Sequence, residues 1–326
     1  MPDQSSPATR REVVVAGKRV RVIDMHAHCS VPEAEVLMGP EGRFPALPLG
    51  SYELRLADMD RQGIDVAALS INPYWYKADR DLASEVIRIQ NEKLGEFCAS
   101  HSERFAGLAS VALQHPDLAA EQLETAMKQH DLRGALIGGS VEGEELADPK
   151  FHPFWAKAEE LGAVVFIHPQ GTAELESRLR GNGMLENVIG NPLETTIALS
   201  HLIFEGTLDR FPALKILGAH GGGYLPSYAA RSDAGGTTFP SRTTPVAKKP
   251  TEYLKQLYFD SLVFTPEALR HLVAETGVSQ IVLGTDYPYP WTTTAVDHIL
   301  ATPELSDDGR IAILGGTAAK LLRLAD

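Results

Sequence analysis

The residue types able to do chemistry gather in four short motifs. Ile23-Asp24-Met25-His26-Ala27-His28 places two histidines two residues apart. In an extended segment such residues point to one side, so both imidazoles can face one ion. His168 follows the apolar run Ala163-Val164-Val165-Phe166-Ile167, and His220 follows Lys215-Ile216-Leu217-Gly218-Ala219 and precedes three glycines, Gly221 to Gly223. Asp286 follows Ile281-Val282-Leu283-Gly284-Thr285. Each is a metal-ligating or proton-transferring side chain at the end of a strand-like run, and imidazole, with an ordinary pKa near about 6.5, moves protons well near neutral pH. Any one of them alone reads as a capped core group or a loop residue; four strands ending this way read as a site.

The elements that must position these residues alternate. Strand-like runs cover residues 20–25, 66–71, 105–111, 134–137, 164–168, 214–218, 257–261 and 280–285. Helix-like stretches fall between them, at 82–100, 118–130, 154–161, 193–208, 266–276 and 308–314. Repeated βα units predict a parallel sheet, and eight of them predict a closed (β/α)8 TIM barrel with its site at the C-terminal ends of the strands. Residues 1–19 read as an N-terminal extension and 20–326 as a single barrel domain. Two long βα loops are expected, at 29–51 and 232–251, where Pro, Gly, Ser and Thr accumulate; loops of this length usually cover sites or touch subunits.

Composition narrows the function classes. With 44% hydrophobic and 22% charged residues the chain can bury a sizeable core. Asp and Glu number 43 against 30 Lys and Arg, a net charge of −13, which repels a nucleic-acid backbone or an anionic membrane. Two cysteines, Cys29 and Cys98, are too few to staple a chain of this size and suggest a reducing cytoplasm. Arg10-Arg11 is followed only by the short run 13–16, unlike a twin-arginine signal, and no run reaches the ~20 apolar residues of a membrane span.

Taken together, Ile23 to His28, Ile167-His168-Pro169, Gly218 to Gly223 and Gly284-Thr285-Asp286-Tyr287-Pro288 resemble the motifs of the metal-dependent amidohydrolase superfamily. The resemblance runs from about Val22 to Ala319. It is nearest to the branch of decarboxylases acting on carboxylated aromatics and muconate semialdehydes, the 2-amino-3-carboxymuconate 6-semialdehyde decarboxylase group. It implies that His26, His28, His168 and Asp286 ligate one divalent ion, that His220 is an unligated acid/base, and that Arg43 and Arg231 hold a substrate carboxylate. The resemblance has Arg231 reaching in from a neighbouring subunit of a homodimer. In one respect the chain departs from the group: residues 171–192 carry Asn182, Asn187 and Asn191 and no aromatic, where the group has a bulky aromatic residue.

Three neutral imidazoles and one carboxylate around a divalent ion leave a net charge of about +1 and an open position. Nitrogen-rich ligation favours Zn, with Mn and Fe compatible. A second metal would need a bridging carboxylate, commonly a carbamylated Lys at the end of the fourth strand, and Gly134-Ala135-Leu136-Ile137-Gly138 has no Lys. The expected activity is non-oxidative decarboxylation of a small carboxylated aromatic or muconate semialdehyde-type acid, with His220 or Asp286 supplying the proton. The alternatives are a hydratase or hydrolase using the same mononuclear site, or a barrel that binds metal without catalysis. The remaining histidines, His101, His115, His130, His152, His201, His271 and His298, read as surface or capping residues, and Cys29 as a packed thiol.

Overall fold

The computed structural model describes residues 10–39, 46–240 and 246–324. Its centre is a barrel of parallel strands: β1 (Ile23–His28), β2 (Val66–Ser70), β3 (Phe105–Gly107), β4 (Gly134–Ile137), β5 (Val164–Ile167), β6 (Lys215–Gly218), β7 (Tyr258–Asp260) and β8 (Ile281–Val282). β1 to β3 pair side by side, and β4 to β8 form a second run in chain order. Two seams join the runs. At one, Met25 donates to the Leu283 carbonyl at 2.9 Å and Asp286 to the His26 carbonyl at 2.8 Å; at the other, Ala109 donates to Gly134 at 2.8 Å and Leu136 to Ala109 at 3.0 Å. All the bridges are parallel, so the barrel closes.

Inside, Ile23, Met25, Val66, Leu108, Leu136, Phe166, Leu217 and Val282 form one apolar cluster, joined by Ala318, Leu321 and Leu322 of the helix Thr317–Leu322. A larger cluster lies between the strands and the helices around them. These helices are amphipathic and mostly start on a definite signal: the Asp79 side chain accepts from Leu82 N ahead of Arg80–Ser100, and Thr265 from Ala268 N ahead of Pro266–Thr276.

Strand β1 carries the feature that matters most for the site. Asp24 pairs with Ala67 and Ala27 with Leu69, so β1 spends one residue more than β2 over this step. Such a bulge shifts the alternation of side chains by one. Ile23 and Met25 therefore face the barrel interior, and His26 and His28, of opposite parity, face its mouth.

Several boundaries differ from the sequence expectation. The first strand begins later and runs through His28, and the third and eighth stop early. Side chains take over backbone donors at those ends: Asn91 accepts from Ser110 N at 2.8 Å, Gln122 from Ala112 N at 2.8 Å, and Asp24 from Thr285 N at 3.1 Å. The expected loops are partly helical. Pro32–Met38 lies in the first, and Leu225–Thr238 runs into the second, because a proline in the first two helical positions starts a helix as readily as it punctuates a loop. In the N-terminal extension, Val14–Val15 and Lys18–Arg19 form a hairpin whose Val13 and Val15 are buried.

Candidate metal centre

The centre is built where the strands end. The imidazoles of His26 and His28 meet at Nε2, 3.1 Å apart, and both nitrogens approach Asp286 Oδ1, at 3.1 and 3.0 Å. His168 follows β5, and its ring centroid lies 5.0 Å from that of His26 and 4.7 Å from that of His28. His220 follows β6, with Nε2 3.7 Å from Asp286 Oδ2. Donor atoms of His26, His168, His220 and Asp286 all lie within 4.8 Å of one another, and His28 joins the group through its contacts with His26 and Asp286.

What fixes the rings is as informative as their convergence. His26 Nδ1 donates to Asp260 Oδ2 at 2.7 Å, and Ser70 Oγ lies 3.4 Å from His28 Nδ1 while donating to the Ala27 carbonyl. With both Nδ1 atoms so occupied, the Nε2 lone pairs are left to face each other and Asp286. Both ring nitrogens of His168 are buried without a hydrogen-bond partner, as is Nδ1 of His220. Inward-facing, unpartnered lone pairs beside a carboxylate are the donor set of a cation.

The electrostatics agree. Burial acts to lower the His26 pKa, but Asp286 and Asp260 outweigh it and hold the imidazole up at about 10. Burial drives His28 down to about 4 against the pull of Asp286, and drives His168 well below its ordinary value, helped by the neighbouring His28 and His26. Burial would also raise the Asp286 carboxyl, yet the surrounding imidazoles hold it far below the usual carboxylate range. The field at this point favours positive charge, and a divalent ion satisfies it without protonating a ligand.

Asp260, at the end of β7, is the residue that sequence reasoning missed. Fully buried, it accepts from His26 Nδ1 and also from the backbone N–H groups of His220 at 2.8 Å, Gly221 at 2.9 Å and Leu262 at 3.1 Å. Its signal was available: a carboxylate closing the apolar run Leu257-Tyr258-Phe259 has to be buried for a reason. Asp24 acts similarly between β1 and β8, accepting from His26 N at 3.0 Å and from Thr285 Oγ1 at 2.5 Å.

The three glycines after His220 also find a reason here. A Cβ on Gly223 would stand 2.0 Å from the Pro192 carbonyl oxygen, and all three have positive φ, so the chain turns against the neighbouring helix where no side chain fits. Above the cluster opens a cavity of about 440 Å³, with His168, His220 and Asp286 at its base and Asn72, Gln170, Asn187, Asn191, Tyr289 and Trp291 around it. The loop after β5 thus contributes asparagines, and the loop after β8 the aromatic rings.

The family model for amidohydrolases matches residues 23–324. The chain belongs to the amidohydrolase family. This amidohydrolase is 31% identical to the 2-amino-3-carboxymuconate-6-semialdehyde decarboxylase of Dictyostelium discoideum over 309 residues, spanning 93% of the present chain and 85% of that relative. Among solved structures it superposes on 5-carboxyvanillate decarboxylase from Sphingomonas paucimobilis with a TM-score of 0.85 at 26% identity, covering 94% of this chain and 100% of that one. The dihydroxybenzoic acid decarboxylase of Polaromonas sp. JS666, solved with manganese and the inhibitor 2-nitroresorcinol, gives a TM-score of 0.82 at 27% identity, with 94% and 97% covered. The family's decarboxylase branch is where this amidohydrolase falls, and the buried cluster is its site for a single divalent metal.

Among the described residues, one that was expected at that site does not reach it. Arg43 lies outside the described residues. Arg231 is exposed on the helix Leu225–Thr238 and does not line the cavity of its own chain. Cys29 is buried in the outer core beside His28, its thiol pushed up to about 12 by burial. Of the remaining histidines, His101 stacks near Tyr52 at 4.4 Å and His201 lies near Glu145 and Glu205, away from the cluster.

Proposed function

We propose that the protein is a metal-dependent, non-oxidative decarboxylase of a small carboxylated aromatic or muconate semialdehyde-type acid. The observation that carries this reading is the position of His220, which touches the ligand cluster on one side and open cavity on the other. Its side chain is 17% exposed, whereas His26 and His28 are wholly buried. On this basis His26, His28, His168 and Asp286 hold the ion and His220 faces the substrate.

When bound, the ion supplies Lewis acidity and orients the substrate's oxygens. The protein's own groups do the rest. Arg43, with Arg231 of a second subunit, clamps the carboxylate through the planar guanidinium fork. His220 delivers a proton to the ring or alkene carbon that bears the carboxylate, whose π electrons form the new C–H bond; the C–C bond to CO2 then breaks and its electron pair restores the π system. The net result replaces CO2 by hydrogen, and His220 regains its proton from water. Asp286 Oδ2 lies 3.7 Å from His220 Nε2, an ion-pair distance, and its charge helps to keep the imidazole beside the ligand cluster. The cavity walls limit water at the carbon being protonated.

The ion is proposed to be Zn, from the three nitrogen donors; the manganese of the Polaromonas structure makes Mn the competing assignment. A homodimer is supported by Arg231 and Tyr228, which stand three residues apart on one helix and are both exposed. A cytoplasmic location is supported by the free thiols of Cys29 and Cys98; no helix among the described residues is long and apolar enough to cross a membrane. The test is product analysis with metal-loaded protein and a panel of carboxylated phenols and muconates. CO2 release with the matching decarboxylated product supports the proposal; addition of water with the carboxylate retained overturns it.

A further inference from the structure

A second cavity, of about 380 Å³, lies beside the one above the metal centre, and His220, Asn187 and Trp291 line both. Asn72, Gln170, Asn187 and Asn191 stand among Pro169, Met184, Pro290 and two aromatic rings around the first, and Val188, Pro192, Leu262, Val263, Phe264 and Leu272 wall the second beside Tyr224, Ser227 and His271; among the described residues no Lys or Arg lines the second. Three of the apolar side chains around it remain strongly exposed: Phe264 at 56%, Val188 at 48% and Trp291 at 38%. Phe264 also sits at φ 62, a backbone conformation that a bulky residue rarely adopts. That conformation belongs to a ring standing 6.3 Å from the ring of Trp291 across the cavity rim. Exposed apolar side chains that converge on a concavity next to reactive groups mark a ligand surface rather than core.

We infer that the second cavity is a subsite for an uncharged, apolar substituent, aryl or branched alkyl, on the acid whose carboxylate is processed at the metal centre. The inference rests on the decarboxylase reading for the carboxylate end and adds the rest of the molecule. With the reacting carbon beside His220, a substituent on the far side of that imidazole enters the apolar compartment and removes Phe264, Val188 and Trp291 from water. The polar ring substituents stay with Asn187, Asn191 and Tyr289 in the first cavity.

The test uses full-length, metal-loaded protein with salicylate and its 3-, 4- and 5-phenyl derivatives as substrates. Phenol and the corresponding phenylphenols serve as unreactive probes, their binding read by tryptophan fluorescence. At least one phenyl isomer should exceed salicylate tenfold or more in kcat/KM, and its phenylphenol should bind at least tenfold more tightly than phenol, as burial of an apolar ring requires. Ala268→Phe, which fills the compartment from the helix Pro266–Thr276, should cut both ratios at least fivefold; Phe264→Ala, which removes an exposed wall, should also lower them. Both positions are at least partly exposed, so neither change empties the core. Absence of any preference for a phenylated probe, or a preference that survives Ala268→Phe, overturns the subsite. If no CO2 is released from any probe while the binding preference and its loss in Ala268→Phe hold, the decarboxylase reading fails and the subsite stands. If salicylate is decarboxylated without any phenyl preference, the reverse is true.

Discussion

Asp260→Asn removes one charge from the centre without changing the size of the side chain. Oδ2 of Asp260 accepts from His26 Nδ1 and His220 N, and Oδ1 from Gly221 N and Leu262 N. An amide has one accepting oxygen, so in either orientation two donors lose their partner and face an NH2 group. If the NH2 faces His26, the imidazole has to take the other tautomer, which protonates Nε2 and withdraws it from the metal. If the oxygen faces His26, the ring keeps its place but loses the negative charge behind it. Either way metal affinity should fall about 10- to 100-fold, the usual effect of removing such a partner, equivalent to roughly 1.4 to 2.7 kcal/mol. The donors left facing the NH2, one or two of them depending on its orientation, should cost a further ~1 to 2 kcal/mol or more of folding stability, at about 1 kcal/mol or more each. Competition between apo protein and a chromophoric chelator measures the first quantity, and denaturant unfolding of apo protein the second. An Asp260→Asn variant with wild-type metal affinity and turnover would refute the claim that this carboxylate sets the His26 tautomer.

Metal analysis should find near one equivalent per chain, with His168→Ala losing most of it; two equivalents in wild type would sink the mononuclear site. His220→Asn should keep its metal and lose about 100-fold or more in turnover, the scale of a lost general acid/base, whereas loss of metal would make His220 a ligand. Mixing His220→Asn with Arg231→Ala should restore up to about half the activity per mixed dimer, and no recovery in proven mixed dimers would place Arg231 outside the partner's site. Glu194, pushed up to about 7 by burial against an ordinary 4.5, binds a proton when folded that the unfolded chain has already released, so its contribution to stability is lost as pH rises through 7. Unfolding at pH 5 and pH 8 should therefore show Glu194→Gln gaining on wild type at the higher pH, by at most about 3 kcal/mol; an unchanged difference would show the carboxyl ionising freely.

The parts of this architecture that were legible in the sequence are those where residue type and position carry the same message. His26, His28, His168, His220 and Asp286 could be found because each closes a β-like run, and the closed barrel follows from counting such runs. Asp260 does the same on β7, yet it was passed over because the expected strand 257–261 ran through it as though it were one more strand residue. The bulge between Asp24 and Ala27 left no mark at all. A strict period of two from Ile23 and Met25 would have turned His26 and His28 away from the interior, and only pairing with β2 reveals the extra residue. The helix Pro32–Met38 was hidden differently: its proline, two glutamates and alanine suit a first helical turn, but the prolines and glycines around it read as loop.

Backbone conformation explains why these side chains behave as one unit. His220 has φ 53 and Asp286 φ 61, both in the left-handed region that non-glycine residues seldom occupy, at about 1 to 3 kcal/mol each. Each is held there by the other strands of the centre. The N–H groups of His220 and Gly221 are tied to Asp260, the Asp286 N–H is tied to the His26 carbonyl, and Gly284 leaves the gap between them, since a Cβ there would lie 2.9 Å from Asp260 Cβ and 3.0 Å from His26 Cβ. Thus β1, β6, β7 and β8 converge on one set of bonds in which Asp260 serves His26 and His220 together. A change at any of these residues is transmitted to the rest, and the energetic effects of paired substitutions at Asp260, His26 and His220 cannot be additive. On the proposed roles, the metal site and the proton-transfer site are a single construction, with the carboxylate at the end of β7 as its common support.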